Sequence, residues 1–121
     1  MAALPDVITV AQLDELPERG DAYYELHHGE VVEVSRAKKG HVDLQDRLAG
    51  LLRNLLSSFG RVLVECPYRA LWEFEYRVAD VAVISYYRWN ATAPHEDLRG
   101  APELVIEVKS PWTIAAPARF P

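Results

Sequence analysis

One run constrains the chain more than any other: Leu44, Leu48, Leu51, Leu52, Leu55, Leu56 and Phe59 recur at steps of three and four residues. That spacing lays apolar side chains along one wide stripe of a helix, and the stripe is expected to face a core. Asp43, Gln45, Asp46, Arg47 and Arg53 fall mostly off it, on what reads as a solvated outer face. Gly60 is placed to end the helix. Three strand signals follow. Arg61 to Cys66 runs into Pro67 and continues as Tyr68 to Trp72, Val78 to Ile84 is an apolar run broken by one acid, and Glu103 to Lys109 closes at Ser110-Pro111.

Ahead of the helix, Thr9 is a plausible N-cap for a short helix over Val10 to Leu16, with Pro17 as a stop. Two β-rich stretches, Tyr23 to His27 and Glu30 to Val34, flank His28-Gly29, where the glycine can supply a positive φ, so this part reads as a hairpin. From Tyr86 to Pro102 periodicity vanishes, and a long surface loop is expected. Residues 1–111 then form one α/β domain, and residues 112–121, with no periodicity, an irregular tail.

The 121 residues, half of them apolar, suffice for a single domain with a modest core. No apolar stretch nears the roughly 20 residues that cross a bilayer, and Met1 to Val10 has no basic leader region. Cys66 is the only cysteine, which excludes an internal disulfide and suits a reducing compartment. A cytoplasmic protein without membrane contact is therefore expected. Thirteen Lys and Arg against eighteen Asp and Glu give a net charge of −5. This counts against a high-affinity nucleic-acid binder, because phosphate contacts draw on Lys and Arg. It counts little against a metal-dependent hydrolase, whose carboxylates hold the ion.

The chemistry rests on two acids and an amine. Along an extended strand, Glu107 and Lys109 share one face while Leu104, Ile106 and Val108 share the other and can pack under the helix. Asp80 interrupts an apolar strand, and a carboxylate there is costly unless paired or bound to a metal. If the two strands are neighbours, Asp80 and Glu107 can converge on one cation. Mg²⁺ prefers such oxygen ligands and keeps several waters, so Asp80, Glu107 and the backbone carbonyl of Val108 suffice as ligands, with Lys109 as cationic partner. Mn²⁺ is an alternative ion. The set resembles the pattern of PD-(D/E)XK nuclease cores, which implies a Mg²⁺-dependent nuclease. An acid followed two residues later by a lysine is also common on any half-exposed strand, as a solvated pair.

Other residues stay open. Glu25 is either an exposed paired acid or part of the site. His41, at the helix start, can cap, bind, shuttle a proton or stand idle. His27 and His28 are adjacent and face opposite ways. Glu65 can add a third carboxylate or face water. Trp72, Trp89 and Trp112 read as packing residues. No phosphate-binding glycine loop or zinc spacing is present.

Taken in order, Tyr24-Glu25-Leu26-x-x-Gly29-Glu30, His41 opening the leucine-rich helix, Arg77-Val78-Ala79-Asp80-Val81-Ala82-Val83, and Ala101-Pro102-Glu103 through Lys109-Ser110-Pro111 resemble the Uma-two family of restriction-endonuclease-like proteins. The resemblance covers the chain from about Thr9 to Pro111. It implies a restriction-endonuclease-like PD-(D/E)XK core, with a mixed β-sheet packed on the long helix. It also implies a site of Asp80, Glu107 and Lys109, accessory roles for Glu25 and His41, and DNA as the substrate. Two departures stand out. Ala79 replaces the proline usual before the aspartate, and Lys109 stands where many members carry an aliphatic residue. Relatives also continue past Ser-Pro into a further helix and strand, so the resemblance implies a core whose last helix and strand are missing. An open sheet edge would follow, which a second copy could cover as a homodimer. The alternative to a nuclease is a non-catalytic remnant acting as a protein-interaction module.

Overall fold

The structure, a computed structural model, describes residues 7–18, 20, 22–109 and 116–117. The chain opens with α1 (Val10–Leu13), where Thr9 and Gln12 form a reciprocal capping box: the Gln12 N–H donates to Thr9 Oγ1 (3.3 Å) and the Thr9 N–H to Gln12 Oε1 (2.9 Å). The helix is shorter than the periodicity suggested, and Leu16 packs from the turn after it.

The hairpin stands as expected. Strands β1 (Ala22–His27) and β2 (Glu30–Ser35) pair antiparallel around His28 and Gly29, whose φ values of 51° and 83° give the two left-handed positions of a tight hairpin turn. Glycine is doubly required there, since a Cβ would lie 2.2 Å from a Val7 methyl carbon.

Helix α2 (Lys39–Leu56) then leads into β3 (Gly60–Arg69) and β4 (Arg77–Ser85), followed by α3 (Tyr86–Ala91), β5 (Leu98–Arg99) and β6 (Leu104–Ile106). These strands form a four-stranded sheet in the order β5-β3-β4-β6, mixed because β5 runs parallel to β3 and the other pairs are antiparallel. The hairpin sheet gains β7 (Ala116–Pro117) beside β2. The segment read as an irregular tail therefore supplies a short strand, and the remainder of that segment lies outside the described residues. The hairpin joins the larger sheet where Leu26 bridges Tyr76. Among the described residues no helix is long and apolar enough to cross a membrane.

Burial on both faces of β4 explains its apolar run. Val81 and Val83 pack with Val62 and Ala49 under α2, alongside Leu48, Leu52, Leu56 and Ile106. Ala82 and Ile84 pack on the opposite side with Cys66, Tyr68 and Leu98. Each fully buried aliphatic side chain contributes about 1.5–3 kcal/mol. The β3 strand continues through Pro67, as expected, but ends at Arg69 rather than reaching Trp72.

Three further expectations are corrected. First, the apolar stripe of α2 is seated about one residue away from its expected phase. Gln45, placed on the solvated face, is 4 % exposed against the sheet, while Leu44, Leu51, Leu55 and Phe59 face solvent, Leu55 at 67 % exposure. The ridge that meets the sheet is Gln45, Ala49, Leu52 and Leu56, four positions on one helix face. Second, Gly60 does not cap the helix. It opens β3 opposite Ser85, where a Cβ would stand 2.0 Å from the Ile84 carbonyl oxygen. Third, the stretch from Tyr86 to Pro102 is ordered into α3 and β5. Its organiser is Arg88, whose guanidinium donates to the Ala101 and Arg99 carbonyls (2.8 and 2.9 Å) and to Glu103 (3.1 Å). Those are side-chain bonds, to which apolar periodicity is blind.

Candidate active site

The ladder of β4 and β6 pairs Val83 with Leu104, Ala82 with Val105 and Val81 with Ile106. One step further, Asp80 meets Glu107. On the other edge of β4, Val64 pairs with Val81 and Cys66 with Ala79, which leaves Glu65 opposite Asp80. Three acids on three neighbouring strand segments therefore share one row across the sheet. They line a cleft of about 570 Å³, closed on its other sides by Tyr23, Glu25 and His27 of β1, by His41 of α2, and by Arg77, Val108 and Lys109.

Asp80 is buried and held at both oxygens. The Val108 N–H donates to Oδ2 at 2.7 Å, and His41 Nε2 lies 3.3 Å from Oδ1. Glu107, whose side chain reaches the surface at the cleft mouth, is pushed up to about 8. Loss of water around its carboxyl comes first, then the charge of Asp80 and a hydrogen bond with it, then Glu25. The two carboxylates crowd each other.

Glu25 is buried too. Its Oε1 meets His27 Nε2 at 2.8 Å, and its Oε2 accepts the Val78 N–H at 2.9 Å. It thus ties the hairpin to the start of β4 and faces the cleft, rather than pairing with a lysine or arginine in solvent. His27 and His28 do diverge: His27 lines the cleft, while the His28 ring is 74 % exposed beside Glu75. Burial, followed by the charges of Glu25, Glu65, Asp80 and Glu107, holds the Tyr23 phenol well above its ordinary range, so it stays a neutral donor.

Asp80, Glu107, Val108, Lys109, Glu25 and His41 are thus brought to one cleft. At Val108 the N–H is the group that meets Asp80. Sequence reasoning missed Tyr23, His27 and Arg77, whose strand positions carry no distinguishing pattern, and it placed Gln45 on the wrong face. Trp72 is engaged by the guanidinium groups of Arg69 and Arg99, 3.7 and 3.8 Å from the ring centroid, in keeping with a packing role.

The family model described as "Putative restriction endonuclease", Uma2, matches residues 10–115. The chain belongs to the Uma2 family. Among solved structures, this Uma2 chain is similar to a protein of Anabaena variabilis described as "a putative nuclease belonging to DUF820", with a TM-score of 0.65 at 19 % identity over 86 % of this chain. At that identity the likeness concerns the fold: a mixed α/β architecture with a long helix against a mixed sheet. The chain spans 59 % of the length of that protein. No curated protein matches this Uma2 member.

Does the cleft suit a hard divalent cation? Among the described residues no three His, Cys, Asp or Glu groups already converge as ligands. Mg²⁺, however, takes one or two carboxylates and fills its remaining positions with water. Asp80 and Glu107 supply oxygen donors crowded against each other, and His41, whose Nε2 lies 3.3 Å from Asp80, has a buried Nδ1 with no hydrogen-bond partner. The donor set fits.

Proposed function

We propose that the chain is a PD-(D/E)XK endonuclease domain that hydrolyses DNA phosphodiester bonds with Mg²⁺, or with Mn²⁺ in its place. The observation that carries this reading is the in-register contact of Asp80 with Glu107 at a cleft that also holds Lys109.

Asp80 and Glu107 would hold the ion, which supplies Lewis acidity to the phosphate and acidifies a bound water. His41 and the Val108 N–H fix the orientation of Asp80 from two directions, so its carboxylate enters the reaction already aimed. Lys109 places an ammonium where phosphoryl oxygens gain charge. Glu25, clamped by His27 and the Val78 N–H, holds the cleft wall at a fixed distance from β4. Cations stand around the acids of the cleft: Lys38 and Lys39 are exposed at the start of α2, Lys109 lines the cleft, and Arg77 lines it while paired with Glu75 at 2.7 Å. This is the rim along which a duplex backbone would lie.

Incubation of duplex DNA with the purified chain tests the reading. Mg²⁺ or Mn²⁺ should support cleavage, and Asp80→Ala or Glu107→Ala should each slow it by about 10²-fold or more. Cleavage that persists in both variants, or in the presence of EDTA, overturns it.

The exposed stripe of Leu51, Leu55 and Phe59 favours a second reading, a non-catalytic module that acts through protein contacts, including with its own copy. A chain that sediments as a monomer at all concentrations and cuts DNA removes that reading.

A further inference from the structure

We infer that Glu65 is a working carboxylate of the metal site and that Gln45 is the residue that positions it. This rests on the reading of the cleft as a divalent-cation site and extends it to two residues outside the PD-(D/E)XK pattern.

Glu65 sits in mid-strand with φ +51°, a region that non-glycine residues rarely occupy. The β3–β4 ribbon is irregular at that point and nowhere else. Val62 packs under α2, yet Cys66 and Tyr68, of the same parity along the strand, pack on the other side of the sheet. The partner strand changes with it: Val81 and Val83 lie under α2, and Ala79 lies with Cys66. The pairs on either side keep one register, so no residue has been inserted. Both strands turn over together at Glu65 and Asp80, and the turn carries the Glu65 carboxylate to the cleft.

Gln45 holds the turn. Its Nε2 spends both hydrogens on the sheet, one on Glu65 Oε1 and one on the Asp80 backbone carbonyl, each at 2.8 Å. One buried amide thus fixes the second carboxylate relative to the backbone that carries the first. Neither residue type answers a packing need. A left-handed strand position asks for glycine, and the ridge of α2 that carries Gln45 otherwise meets apolar side chains, so a leucine there would serve packing better.

An independent sign of a ligand lies in the same cleft. The His41 side chain is 9 % exposed, contacts Asp80, and has a buried Nδ1 with no partner. With Glu65 included, three carboxylates stand in one row, and affinity for a hard cation rises with the number of charged oxygen ligands.

The test is Mn²⁺ binding to the full chain, followed by the loss of free-ion electron paramagnetic resonance signal, with thermal unfolding of each variant alongside. Glu65→Gln keeps the Gln45 bond and removes only the charge; it should weaken Mn²⁺ binding about tenfold or more with little change in Tm. Gln45→Met keeps the helix and the volume but removes both donors; it should weaken binding by a similar factor. The losses should be less than additive in the double variant, because part of what Gln45 does is to hold Glu65. If the unaltered chain binds Mn²⁺ and Glu65→Gln binds it equally well, this inference is overturned while the cation-site reading stands. If Gln45→Met lowers Tm but leaves binding unchanged, Gln45 is structural only. An unaltered chain that binds no Mn²⁺ overturns both readings.

Discussion

The two ends of the β3–β4 ribbon are built from the same pair of strands in one unbroken register, yet they do opposite things. At the end that pairs Val62 with Val83, the side chains of β4 alternate between two apolar clusters and are buried on both faces. At the end that pairs Cys66 with Ala79, the alternation breaks, a glutamate takes a left-handed backbone angle, and acids gather where packing alone would place aliphatic residues. One end stores stability. The other crowds acids together, so that Glu107 keeps its proton to near pH 8, a crowding that a bound cation would relieve.

Substitutions at the two ends should therefore diverge. Ile84→Ala, at a fully buried position in the apolar end, should cost about 2–5 kcal/mol, read as a lowered midpoint in urea. Asp80→Ala, the variant expected to slow cleavage, should move that midpoint far less, because it relieves the crowding of Glu107. Equal losses at the two positions would break the contrast.

A smaller effect sharpens it through pH. The folded chain holds Glu107 at about 8, above the ordinary carboxylate range, so it favours the protonated form more strongly than the unfolded chain does. That stabilising protonation is complete near pH 4 and is lost as pH rises through 8. In EDTA, the Tm of the unaltered chain should fall relative to Glu107→Gln between pH 5 and pH 9, with the gap largest at the alkaline end. A gap that does not vary with pH would place the Glu107 carboxyl in ordinary solvent. The same shift makes cation binding release protons near neutrality, which calorimetry in buffers of different ionisation enthalpy would detect. Smallest of all is Leu55→Ala on the exposed stripe of α2, which should stay within about 0.5 kcal/mol for a monomer. A larger loss that grows with protein concentration would show that the stripe is covered by a second copy.

Much of the apolar end was legible in the sequence because periodicity reports burial directly. The run from Val78 to Ile84 and the turn at His28-Gly29 each follow from local rules, and the structure places them where those rules do. The acids Asp80 and Glu107 could be singled out for the same reason, as charges where the pattern asks for none. What stayed hidden is whatever depends on a side chain reaching another element. Gln45 looked like a surface residue because a periodicity reading treats every amide as wanting water, whereas this one meets two acceptors on the sheet. Leu44, Leu51 and Leu55 looked buried because the leucine stripe is wider than the groove that receives it. Arg88 and its carbonyl partners turned an apparent loop into a helix and a strand for the same kind of reason.

The last element of the sheet carries a consequence of its own. Strand β6 is three residues long, so its ladder alone specifies its alignment weakly, and a slip of one residue would swing Glu107 to the wrong side of the sheet. The residue just before it, Glu103, accepts the Ser85 N–H on one oxygen and Arg88 on the other. An exposed ion pair remote from the cleft thereby acts as the stop against which the strand is set down. Surface charges of this sort are usually expendable; here, loss of Arg88 would mimic a defect in the chemistry without altering a single group that touches the reaction.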